Sequence, residues 1–138
     1  MGNVCPSWWE TNVFDPTMQR TETAGMRDIR ARIIRSAVSS APAPAVPGPG
    51  SSSCRILEIG LGTGLNLPHY PEGTKSISSC SLSPAPGPLA QETADSRGLT
   101  LDHACGDSAT GRLPYRDGAF DTVVATLILC SVDDREAF

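Results

Sequence analysis

The residues with the clearest chemistry lie in RILEIGLGTGLNLPHY, residues 55–70. Gly60, Gly62 and Gly64 stand at alternate positions, and Glu58 comes two residues ahead of them. A glycine-rich turn after a strand lets backbone approach a cofactor, and its spacing narrows which one. A dinucleotide fold uses G-x-G-x-x-G before a helix whose N-terminus meets the pyrophosphate. This chain has G-x-G-x-G, and no Lys-Ser or Lys-Thr pair closes it as a phosphate loop requires. A carboxylate at Glu58 repels a pyrophosphate but suits a ligand carrying an ammonium and a sulfonium. The competing reading of the glycines is an ordinary tight turn.

The elements that must position this turn can be read around it. RILEI (55–59) is a short buried strand, and Gly64 to Tyr70 opens a short helix stopped near Pro71 and Gly73. KSISSCS (75–81) is a second strand. Pro88 starts a helix through LAQETADSR that Gly98 ends. LTLDHAC (99–105) is a third strand, and FDTVVATLILC (120–130) is the fourth and strongest, apolar on both faces. Apolar runs without alternation predict parallel strands covered on both sides. Strand and helix alternate, so the class is α/β with right-handed crossovers.

Ahead of this lies an N-terminal segment, 1–38. Asp15-Pro16 reads as a helix start, and Met26, Ile29, Ile33 and Ile34 form one apolar stripe of a helix over 16–38. Arg27, Arg30, Arg32 and Arg35 are expected on its solvated faces. Trp8 and Trp9 are expected to pack locally. Residues 39–53 are a Pro/Gly/Ser-rich linker that cannot build a core, setting the helix apart from the domain over 54–138.

Composition excludes several classes. The chain has 138 residues, one domain's worth at most. A net charge of −4 with no Lys/Arg cluster gives no reason to expect nucleic acid. The longest apolar stretch, Val123 to Leu129, is interrupted by Thr126 and too short to span a bilayer. MGNVCPSWWETN lacks the apolar core of a signal peptide, and Pro6 stands where a myristoylation signal needs Ser or Thr. Five cysteines, an odd count with no C-x-x-C pair, argue for reduced thiols, a cytoplasmic location and no metal. Cys80, Cys105 and Cys130 recur at the period of a strand–helix unit, which explains their spacing.

LEIGLGTGLN, followed by GDSATGRLPYRDGAFDTVVATLIL, resembles the class I S-adenosylmethionine-dependent methyltransferases from about Arg55 to Asp134. GTGLNLPHYPEG and TLILCSVDD are similar to the type-11 methyltransferase domains and the methyltransferase-like thiol methyltransferases. The resemblance implies a Rossmann-like sheet, S-adenosyl-L-methionine as cofactor and a small-molecule methyl acceptor, with a thiol as one candidate. It implies a cofactor site of Glu58, Gly60, Gly62, Thr63, Gly64, Asn66, Ser81, Asp107, Ser108, Thr126 and Leu127. Glu58 would serve the methionyl-ammonium end, Asp107 and Ser108 the adenine, and Thr126 and Leu127 the methionyl part. Relatives end the second strand with an acid that accepts both ribose hydroxyls, and the matching residue here is Ser81. A serine offers one neutral bond of about 1 kcal/mol where a carboxylate offers two of roughly 1.5–3 kcal/mol.

The family's sheet has seven strands ordered 3-2-1-4-5-7-6. Strands 3-2-1-4 are expected here, with the fourth as an edge open to a partner or to self-association. The alternative function is accordingly a non-catalytic methyltransferase-like protein that binds cofactor weakly, or a partner through that edge. His69 and His103 read as structural, Asp133 and Asp134 as helix caps, and no catalytic base is assigned.

Overall fold

The computed structural model describes residues 15–41, 54–81, 85–105 and 112–128. Among these residues, two helices, α1 (Asp15–Thr21) and α2 (Ala24–Ser39), precede β1 (Ile56–Ile59). A single 3-10 turn (Leu67–His69), β2 (Ser76–Ser81), α3 (Pro88–Ser96), β3 (Thr100–Cys105) and β4 (Thr122–Ala125) follow. The four strands form one parallel sheet ordered β3-β2-β1-β4. This is the α/β, Rossmann-like arrangement that the alternating pattern predicts.

β1 lies between β2 and β4, and all four of its residues are buried. One face of the sheet carries Ile56, Ile77 and Val124 against Ile34 of α2, Ala90 and Ala94 of α3, and Leu67 and Tyr70 of the turn. The other carries Leu57, Ile59 and Cys80 beneath Leu113, Tyr115, Phe120 and Ile128. The rings of Tyr115 and Phe120 meet edge to face at 4.8 Å. Asp121 ties the start of β4 to that of β1: its Oδ2 accepts from the Arg55 backbone N–H at 2.8 Å, and its Oδ1 from Nη2 at 2.7 Å. The Arg55 hydrogen bonds hold the Asp121 carboxyl down at about 2.

Four expectations need correction. The fourth strand ends at Ala125, well short of 130, because its partner ends: the β1–β4 ladder runs only from Ile56↔Thr122 to Ile59↔Ala125. Gly60 then turns at φ 73°, and Leu127 enters the left-handed region at φ 56°. Nor is β4 buried on both faces, since Val123 is 56% exposed. The helix over 16–38 is really two, because Thr23 stops one and caps the next, its Oγ1 accepting from the Met26 N–H at 3.2 Å.

The face that α2 buries also differs from the expected one. Ile29 and Ile33 are exposed, while Arg30 and Ile34 are buried and Met26, Ala37 and Val38 half-buried. The stripe keeps helical spacing but runs through an arginine. It packs this helix onto the sheet, so α2 is not set apart from the domain.

Two glycines with similar backbone serve different ends. Gly64 (φ 75°) lies so close to α3 that a Cβ there would come within 2.8 Å of the Ala90 Cα, whereas Gly98 (φ 62°) has open space around it. Gly64→Ala is therefore expected to cost about 2–4 kcal/mol, left-handed strain plus overpacking, and Gly98→Ala only about 1–2 kcal/mol, strain alone. Urea unfolding of the two variants checks this; equal losses would contradict the close packing of the turn on α3.

Candidate functional site

The glycine turn leaves the C-terminal end of β1 where the strand order reverses, with β2 on one side and β4 on the other. Open parallel sheets bind ligands at such switch points. Gly60, Gly62 and Gly64 have φ of 73°, 52° and 75°, a left-handed backbone that side chains disfavour. The turn is pinned by the Gly60 N–H donating to the Cys80 carbonyl at 2.8 Å and the Gly64 N–H to the Leu61 carbonyl at 2.9 Å.

Above it opens a cavity of about 190 Å³. Gly60, Gly62, Thr63, Asn66, Ser81, Thr126 and Leu127 all line it, together with Met18, Arg30, Leu61, Leu65 and Ile128. Seven of the residues expected at the cofactor site thus converge on one space. Gly64 does not line it and serves the packing of α3 instead. Glu58 does not line it either; it lies beneath, behind Asn66. Asp107 and Ser108, like Asp133 and Asp134, fall outside the described residues.

Glu58 is 1% exposed, in the middle of the central strand. Its Oε1 accepts from Asn66 Nδ2 at 2.9 Å and its Oε2 from the Tyr70 hydroxyl at 2.9 Å. Asn66 Nδ2 also donates to Thr126 Oγ1 at 2.7 Å, and its Oδ1 accepts from Arg30 Nη1 at 2.8 Å. Arg30 Nε in turn donates to Glu22 Oε1 at 2.7 Å. The polar chain from α2 to the central strand thus runs Glu22, Arg30, Asn66, Glu58, Tyr70. Burial raises the Glu58 carboxyl to about 7, against the opposing pull of the Tyr70 and Asn66 hydrogen bonds and of the Arg30 charge.

Sequence reasoning missed three supports. Arg30 was expected in solvent and is buried. Tyr70 had only its place near the end of a short helix to recommend it. Arg97, after α3, donates to the carbonyls of Leu67 and Tyr70 at 2.8 and 2.9 Å and so holds the segment that carries the Tyr70 hydroxyl. The usable signal for Arg30 was its spacing, four residues before Ile34 and four after Met26.

Ser81, which the family resemblance assigns to the ribose, lies 3.4 Å through its Oγ from His103 Nε2. His103 Nδ1 is 2.8 Å from the Ser79 hydroxyl, so the imidazole spans two serines of β2. His69 does not line the cavity, and burial lowers its pKa.

A family model described as "Methyltransferase domain" matches residues 57–138. The chain is 35% identical over 89 residues to the human Thiol S-methyltransferase TMT1A, covering 62% of this chain and 35% of that protein. It is likewise 35% identical over 85 residues to the human Thiol S-methyltransferase TMT1B, covering 59% and 34%. The chain spans about a third of the length of these curated relatives. Among solved structures it is similar to SAM-bound CalS10, an amino pentose methyltransferase from Micromonospora echinaspora. That match has 25% identity and a TM-score of 0.46, and covers 83% of this chain and 41% of the other.

The buried carboxyl gives stability a pH dependence of definite sign. Folding raises the Glu58 pKa from an ordinary 4.5 to about 7, so between those values the folded state holds more proton than the unfolded state. Stability contributed by this group should therefore fall as pH rises from ~4.5 to ~7 and level off above, by ~3 kcal/mol at most. Chemical denaturation at pH 5 and pH 8 should show this loss in the native sequence and a smaller one in Glu58→Gln. An equal loss in both would remove Glu58 as the cause.

Proposed function

The chain belongs to the methyltransferase-domain family, and on that premise we propose that it binds S-adenosyl-L-methionine in the cavity above the glycine turn and serves methyl transfer to a small-molecule acceptor. One observation carries the reading: seven residues expected of the cofactor site, drawn from the glycine turn and the ends of β2 and β4, surround one space at the switch point. The residues present fit the cofactor's chemistry. A guanidinium, a buried carboxyl behind an amide and a serine hydroxyl suit a ligand with an amino-acid end and a sugar.

When bound, the cofactor supplies a methyl group on a sulfonium, and the reactivity is its own. The chain's part is to bind and align. The glycine turn lets backbone pass close to the ligand. Asn66 and Thr126, fixed to each other at 2.7 Å, define the wall beside the methionyl part. Leu127 adds an apolar cover that helps to exclude water, and alignment of this kind is worth several kcal/mol of barrier. Ser81 takes the ribose position, with His103 beside it. Asp107 and Ser108 are assigned to the adenine by family resemblance. A thiol acceptor is suggested by the two curated relatives named above, and a reducing cytoplasmic setting suits one.

Isothermal titration of the chain with S-adenosylhomocysteine should give a dissociation constant in the micromolar to sub-millimolar range. Absence of both heat and thermal shift at millimolar ligand would end the cofactor reading. If the ligand binds, transfer of labelled methyl to a panel of thiols tests turnover. Ser81→Asp should tighten binding by roughly 10-fold or more, because two charge-assisted bonds to the ribose replace one neutral bond. Unchanged or weaker binding would show that Ser81 does not face the ribose.

A further inference from the structure

We propose that Arg30 is a ligand-binding residue that reads the α-carboxylate of an amino-acid moiety bound in the cavity, which makes α2 part of the site. The proposal rests on the cofactor reading above and extends it to a residue outside the segment that the family model matches.

A guanidinium has five N–H donors. Arg30 uses Nε on Glu22 at 2.7 Å, and Nη1 on both Asn66 Oδ1 at 2.8 Å and Thr126 Oγ1 at 3.2 Å. That accounts for three donors. The two on Nη2 have no hydrogen-bond partner among the described residues, although Arg30 is only 8% exposed. Buried donors without acceptors are costly, and those of a charged group most of all. The cavity that Arg30 lines is where an acceptor can meet them.

The surroundings select the acceptor. Arg30 is the one Lys, Arg or His among the described lining residues. Glu22 accepts from Arg30 Nε and Glu58 from Asn66, and neither carboxyl lines the cavity. A phosphate would bring excess negative charge beside two carboxyl groups. An amino-acid zwitterion brings a carboxylate for Nη2, and its own ammonium keeps the bound group neutral overall. Guanidinium and carboxylate are also well matched in geometry.

The test removes the charge from each partner in turn. The full chain is titrated with S-adenosylhomocysteine and with its decarboxylated analogue, S-adenosyl-3-thiopropylamine, and both titrations are repeated on Arg30→Gln and Arg30→Lys. The native chain is expected to prefer the carboxylated ligand by roughly 10–100-fold, the worth of one charged hydrogen-bond contact. Arg30→Gln should lose that factor for S-adenosylhomocysteine while holding the analogue about as well as before. Arg30→Lys should keep part of the preference, and it serves as the test if the glutamine variant does not fold. Near-equal affinity of the native chain for the two ligands overturns the proposal. So does a variant that weakens both ligands equally, which would mark Arg30 as purely structural. Failure of the native chain to bind either ligand overturns the cofactor reading together with this one.

Discussion

A carboxyl group buried in the middle of the central strand sets the terms for the rest of the structure. Glu58 has no water to solvate it, so its two oxygens must be served by protein. Asn66 and Tyr70 do this, and both come from the segment just after the glycine turn. That segment must fold back over β1 for the bonds to form. Arg97 holds its carbonyls in place, and Leu67 and Tyr70 then complete the apolar face beneath it. The cavity wall follows from this. Asn66 is fixed on one side by Glu58 and on the other by Arg30, with Thr126 in reach of both Asn66 and Arg30. The part of the wall that Asn66, Thr126 and Arg30 build is thus the outer layer of a network whose innermost member never touches the cavity.

The same network explains how α2 is attached. Ile34 supplies the apolar contact, but half of the helix's buried face is a charged side chain. Such an attachment is directional. An apolar stripe can slide along a sheet at modest cost, whereas a guanidinium with three set partners fixes position and rotation together. The break at Thr23 belongs to the same arrangement. It lets Glu22, just before the cap, meet Arg30 eight residues later.

Much of the sheet and the central part of the site were legible in the sequence. The continuous apolar runs signalled parallel strands, and the glycine spacing signalled the turn that leaves the first strand beside the candidate site. Both are local patterns whose physical meaning does not depend on distant residues. The ends of elements were less legible. ILEI and TVVA pair for only four positions, and nothing in FDTVVATLILC says that its partner has already turned away at Gly60. The arginine-rich helix departs from its sequence pattern for a related reason. Arg27, Arg32 and Arg35 obey the rule that charged helix faces are solvated, while Arg30 breaks it only because Asn66 and Thr126, 36 and 96 residues away, satisfy it. A buried polar residue becomes predictable only when its partners are known, and these lie far along the chain.

Leu127 carries a consequence of another kind. It holds a left-handed backbone at φ 56°, is 62% exposed, and lines the cavity. A glycine there would relieve strain of roughly 1–2 kcal/mol and would forfeit the side chain over the ligand space. Selection for stability alone therefore draws this position toward glycine, and selection for an enclosed pocket holds it away. The two demands are opposed on a single residue: what this backbone would gain in ease, the cavity would lose in cover.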